Sequence, residues 1–386
     1  MSWQEKVSDI HVMAIHRTFL ILQKNCPWAI LEAHISSKKN ESYFMATETR
    51  HRAEWLDLAN VVAMACVVWF HIPSAVEVPV RHIEYITVNA MFFILSGCSF
   101  GLALQRRSSF RARLSHICRR LLWPTTVMYA VCYVLWLAIG KKLGGDVAEW
   151  YEPLVQFVTG RFSLVLATYW FIVCLIGMQI LCFCLHRMVR SRSALALVCG
   201  LLPLLTLIFG DIDCYCIPEV LVFFPFFAIG TITSPADDAH GHRMHHLAWL
   251  LAGWCIYFGI THMMHLPTVY TPMEAVCGTG ACLVAGTGAE LFCRKRHAGR
   301  MVTTLRYGAL VLLASQNYII GLCRVVLDRV TQEQDFLARH SALKPAVLIL
   351  VYAVSIPAIQ YIRHFCPQIL GRSKAKKEEP KFADHG

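Results

Sequence analysis

The sequence predicts an all-α membrane protein, a polytopic bundle of about ten transmembrane helices with both termini cytoplasmic. Three observations predict it. Of the 386 residues, 56% are apolar and only 16% charged, against about 45–50% and about 25% in an ordinary soluble domain. The apolar residues gather into runs of about 17–22, the length that crosses a hydrocarbon core of roughly 30 Å at 1.5 Å per residue. Short basic segments separate the runs. Mean hydropathy is +0.49. Such a chain is not disordered, not a coiled coil and not a cytosolic enzyme, and it has little room for a soluble domain.

The predicted spans are 55–73, 85–104, 121–139, 164–185, 194–209, 217–233, 247–262, 275–292, 306–323 and 345–362. The fifth is the shortest and the ninth the most polar. Lys and Arg orient them, because cytoplasmic loops carry an excess of both. With the residues before Trp55 inside, the inner segments carry 23 Lys and Arg and the outer loops 8. The net charge of +11 therefore records topology, and no nucleic-acid partner is expected. An inner (plasma) membrane location follows as an expectation.

Residues 1–44 have patchy hydrophobicity and no clean span. They are expected to be an N-terminal extension outside the native protein or a peripheral appendage, with Met45 as the alternative start. Residues 45–365 form the membrane domain. Residues 366–386 form a polar, mixed-charge cytoplasmic tail. Seventeen cysteines show no CxxC pair or zinc spacing, and most fall inside apolar spans, where Cys is a small hydrophobe. His240, His242, His245 and His246 lie in an expected inner loop without fixed ligand spacing, and His262 and His265 share a helix face. Neither set predicts a metal. No phosphate loop, HExxH or GxSxG is present.

Ionisable groups inside spans are expensive and mark function. The first span carries Asp57 near its inner end, Asn60 one turn on, and His71 near its outer end. Eleven residues from 60 to 71 are close to three turns, so both side chains share a face, roughly 16 Å apart. A His at the outer mouth suits general-base work, or else caps the span beside Pro73. The second span holds Asn89 and MFFILSG at 91–97, where Ser96 and Gly97 permit close backbone approach. The next loop, 105–120, carries six arginines: Arg106, Arg107, Arg111, Arg113, Arg119 and Arg120. These fit either the phosphates of a cytoplasmic donor or plain topology and lipid headgroups. Glu84 sits outside the second span, facing the His71 mouth or solvent. Tyr169-Trp170-Phe171 reads as a substrate wall or an interfacial aromatic belt. Gln316, Asn317 and Tyr318 line a cavity or bond between helices.

LDLANVVAMACVVWFH at 56–71, MFFILSG at 91–97, RRLLWP at 119–124 and YWF at 169–171, in that order, resemble the acyltransferase-3 family over residues 52–365. The resemblance implies transfer of an acyl group, usually acetyl, from cytoplasmic acyl-coenzyme A to a hydroxyl of a carbohydrate or other cell-envelope compound. The family motif in the first span is Arg or Lys, ten residues, then His. His71 matches it; Asn60 stands where the cation would be. His71 is then the expected base. Asp57, Asn60, Glu84, Asn89, Ser96, Arg111, Arg119, Arg120, Trp170 and Tyr318 are the expected donor- and acceptor-binding residues. No metal is expected. Two other readings stand beside this one: a catalytically silent member acting as sensor or partner, suggested by Asn60, and a transporter or flippase.

Overall fold

A computed structural model describes residues 54–370 except 76, 105–108, 141–148, 164, 213, 235–239 and 297–298. The expected extension 1–44 and most of the tail lie outside these residues, as do Arg106 and Arg107. Every described element is helical and none is a strand. The helices are α1 (residues 54–71), α2 (Val78–Leu104), α3 (Phe110–Ala138), α4 (Glu152–Thr159), α5 (Tyr169–Met188), α6 (Arg192–Phe209), α7 (Ile217–Thr233), α8 (His240–Met263), α9 (Pro272–Lys295), α10 (Arg300–Tyr307), α11 (Ala309–Thr331) and α12 (Lys344–Phe365).

Among the described residues, seven helices are long and apolar enough to cross a membrane: α2, α3, α5, α6, α9, α11, and α12 with the turn before it. Helix α7 is apolar but shorter, at 17 residues. The two remaining expected spans are also helical. Polar residues dilute them: Asp57, Asn60 and His71 in α1, and His245, His246 and His262 in α8.

The boundaries moved where caps override hydropathy. Helix α2 begins at Val78, seven residues before the expected 85. Helix α3 begins at Phe110 because the Ser109 hydroxyl accepts the Ala112 N–H at 3.2 Å, an N-cap. The expected arginine loop is therefore largely helix. It passes through a π-type turn at Cys118–Leu122, directly ahead of Pro124, where the missing N–H and the ring force extra backbone into the turn. The expected histidine loop at 240–246 is likewise the start of α8. His265 lies beyond the end of α8, at φ +53°, so it shares no helix face with His262. The expected ninth span splits at Gly308 into α10 and α11.

Helices α2 and α7 form the centre, with α5 and α9 against them. Helix α7 is apolar on all sides, the pattern of an enclosed helix, and Phe223, Phe224, Phe226 and Phe227 are fully buried. Small residues let the two backbones touch. A Cβ on Gly230 would overlap the Ile94 carbonyl oxygen, and one on Gly97 would overlap that of Phe227. The small-residue pattern at 96–97 thus serves helix packing. Helix α6 packs on α8 through Gly200 and Gly253 in the same way. Helix α11 packs on α12 and α3. All sixteen described cysteines are free, and half of them are buried, as small hydrophobes would be.

The chain alternates between two ends. One carries Asp57, the C-terminus of α2 and the N-terminus of α3. The other carries His71, the N-terminus of α2 and the N-terminus of α5.

Candidate active site

Helix α1 runs unbroken from residue 54 to 71 and carries Asn60 and His71 on one rod. Its buried face is Leu56, Ala59, Ala63, Met64 and Val68, spaced at helical period. At its last turn, the His71 Nδ1–H donates to the Val67 carbonyl at 2.8 Å. A carbonyl only accepts, so this bond places the proton on Nδ1 and leaves Nε2 of the neutral ring with a free lone pair. That is the tautomer a general base needs.

Aromatic rings and cations surround the His71 end. Phe70 meets His71 edge-on at 5.6 Å and Tyr85 at 5.9 Å. Tyr85 in turn meets Trp170 at 6.1 Å. The Arg81 guanidinium lies 5.3 Å from the Phe70 ring, and the Lys344 ammonium 5.2 Å from the Trp69 ring. Both are cation–π contacts. Lys344 is buried and lies in the fields of Glu84 and Arg81. Arg81 also acts on His71. Glu84 thus stands at the His71 end with two cations beside it. Arg81 and Lys344 had no motif to signal them; they converge from the starts of α2 and α12, which are remote in sequence.

Asn89 is buried beside the Tyr85 hydroxyl, one turn further into α2. Trp170 is buried between Phe162, Tyr85 and Phe223, so the YWF segment faces the bundle. Tyr169 donates to the Phe157 carbonyl at 2.7 Å and ties α5 to α4. Tyr318 donates to the Cys132 carbonyl at 2.8 Å and lies 3.1 Å from that of Val165. Its hydroxyl bridges α11 to α3 and to the loop before α5. Ser96 is half-buried. Gln316 is fully buried, and its amide has no hydrogen-bond partner at either atom.

The Asp57 end is ionic. Arg306 on α10 donates to the Asp57 carboxylate at 2.7 Å. Arg306 and Arg363 lie 5.5 Å and 5.7 Å from the Tyr307 ring. Asn60 donates back to the Leu56 carbonyl at 2.8 Å, inside its own helix. Arg306 of α10 thus reaches the start of α1, and Arg363 of α12 shares the Tyr307 ring with it. Arg111, Arg119 and Arg120 are exposed on α3, whereas Arg113 is buried under Phe100. Between the two ends, Phe93, Phe171 and Phe223 pack at 4.9–5.3 Å. This aromatic seam packs α2, α5 and α7 together at that level. Among the described residues, no group of three or more His, Cys, Asp or Glu stands close enough to hold a metal ion.

Residues 53–363 match the acyltransferase domain of the acyltransferase-3 family. The match takes in α1 through most of α12, more than three quarters of the chain. No curated protein and no solved structure matches it. Together, the domain match and the seven spanning helices describe a multi-pass membrane acyltransferase, and the chain belongs to the acyltransferase-3 family.

Proposed function

We propose that the protein is an O-acyltransferase that moves an acyl group, acetyl in the simplest case, from cytoplasmic acyl-coenzyme A to a hydroxyl of a cell-envelope carbohydrate. Ten spans with both termini inside an inner (plasma) membrane put Asp57 on the donor side and His71 on the acceptor side. The observation that carries the reading is the His71 tautomer. Its Nδ1 is committed to the Val67 carbonyl, and its Nε2 is left to receive a proton.

The chemistry is short. A sugar hydroxyl attacks a thioester slowly until its proton leaves. His71 Nε2 takes that proton as the oxygen bonds to the carbonyl carbon, an effect worth ~10²–10⁴-fold. The carbonyl oxygen gains negative charge and needs a donor or cation. Arg81 and Lys344 are cations at that end. The thiolate of coenzyme A leaves, and the proton held by His71 balances the charge. On the donor side the arginines of α3, Arg111, Arg119 and Arg120, with Arg306 and Arg363, supply charge for the coenzyme phosphates. The aromatic seam must part for the acyl group to pass.

The test is mass spectrometry of envelope glycans from cells carrying wild-type protein, His71→Ala or no copy. A mass gain of one acyl unit present only with wild type supports the reading. Full acylation with His71→Ala removes the base assignment. One observation favours the silent-partner alternative: the Asn60 amide is spent inside its own helix. Absence of any acyl gain with wild type, together with restoration by Asn60→Arg, would select it.

A further inference from the structure

A cavity of about 210 Å³ opens among the Asp57-side ends of α2, α5, α6, α7 and α8. Its floor is apolar, with Leu104, Leu195, Ala196, Ala228 and Ile232. Its rim carries Arg192, Arg243, His186 and His246 from three helices. No described lining residue is a carboxylate.

A second observation points the same way. Arg113 is only 7% exposed, and its Nε and Nη2 have no hydrogen-bond partner. Its guanidinium stacks 4.9 Å from the Phe100 ring and acts on Cys182, a residue of the cavity wall. The Nε of Arg243 is also buried without a partner. Buried guanidinium donors left unpaired are costly. An anion with several acceptor oxygens in the cavity would accept from Arg243, and the charge of Arg113 behind the wall would favour it.

We infer that this cavity binds a phosphate-bearing amphiphile, with Arg192 and Arg243 gripping the phosphate, Arg113 supplying charge from behind the wall, and the apolar floor taking the adjoining chain. Two molecules share that chemistry: an acyl-coenzyme A, whose thioester arm follows its phosphates, and an anionic phospholipid of the inner leaflet, whose acyl chains follow its headgroup. The site stands apart from the exposed arginines of α3 and from His71. It rests on the acyltransferase reading only where the amphiphile is the acyl donor.

The experiment uses full-length protein in phosphatidylcholine nanodiscs. One arm titrates coenzyme A by calorimetry. The other replaces part of the lipid with phosphatidylglycerol and counts lipid retained by native mass spectrometry. Wild type is expected to hold one of the two saturably. The Arg192→Gln/Arg243→Gln pair is expected to weaken that ligand at least about tenfold, while His71→Ala binds as wild type. Arg243→Lys, which keeps the charge and loses the planar fork, is expected to fall between, and it serves if the double variant unfolds. Coenzyme A binding makes the cavity, in place of the α3 arginines, the grip on the donor's phosphates; phosphatidylglycerol binding identifies a lipid site. The inference is overturned if wild type holds neither, or if both arginine variants bind as wild type does. Because His71→Ala retains the site, loss of acyl transfer with binding intact separates failure of the acyltransferase reading from failure of this one.

Discussion

The two ends of the bundle are made of different materials. At the His71 end, two cations lean on aromatic rings, Arg81 on Phe70 and Lys344 on Trp69, and carboxylates pair with cations, Glu274 with His82 and Asp335 with Arg324. At the Asp57 end, the cations are many. Arg306 pairs with Asp57, and Arg192 and Arg243 line a cavity. Water and lipid headgroups tolerate the second arrangement, and positive-inside topology rewards it. A membrane tolerates the first only if each charge is wrapped. Under the proposed function, proton chemistry belongs to the His71 end and anion binding to the Asp57 end.

The largest expected effect breaks this contrast at His71. His71→Gln is expected to cut acyl transfer by ~10²–10⁴-fold with thermal unfolding in detergent unchanged, measured on the same preparation. An equal loss of stability would make His71 a structural cap.

Next is the close approach of α2 and α7. Gly230→Val places a Cβ where the Ile94 carbonyl oxygen lies, so α2 and α7 must part. Overpacking of this kind costs about 1–3 kcal/mol or more, read as a fall in unfolding midpoint. A stability equal to wild type would show that the helices do not touch there.

Smaller again is the ion pair of the crowded end. Arg306→Gln removes the cation from an Asp57 side chain that is 15% exposed. With Arg306 itself nearly half exposed, the expected loss is about 1 kcal/mol. Asp57→Asn in the same chain should recover most of it in a double-mutant cycle. Independent, additive losses would remove the pair from the account.

The smallest effect concerns Gln316. Replacing an unsatisfied buried amide by Leu is near neutral for stability or slightly stabilising. Gln316→Leu is expected to leave the midpoint within about 0.5 kcal/mol. A larger loss would show that the amide has a partner, such as a buried water or substrate.

Much of the architecture was legible because the bilayer imposes one length on every span. The segment 217–233 matched to the residue, and the expected spans overlap helices, the ninth with two of them. The errors came from local chemistry that hydropathy does not weigh. The Ser109 cap drew the arginine segment into α3, and the seventh span extended back through its histidines. The site was legible only along single helices. Asn60 and His71 share α1, so their spacing was readable. Lys344 meets Arg81, Arg306 meets Asp57, and Arg192 meets Arg243 across one cavity, each pair from segments far apart in sequence that no spacing rule links. Tyr318 and Gly97 were visible as unusual residues, but helix packing occupies both.

The most direct measurement uses purified protein in sealed vesicles, with radiolabelled acyl-coenzyme A on the Asp57 side and a soluble hydroxyl acceptor on the His71 side. Wild type is expected to deliver label to the acceptor across the bilayer, and His71→Ala to deliver at least about 100-fold less. Label delivered by His71→Ala at the wild-type rate would contradict the account.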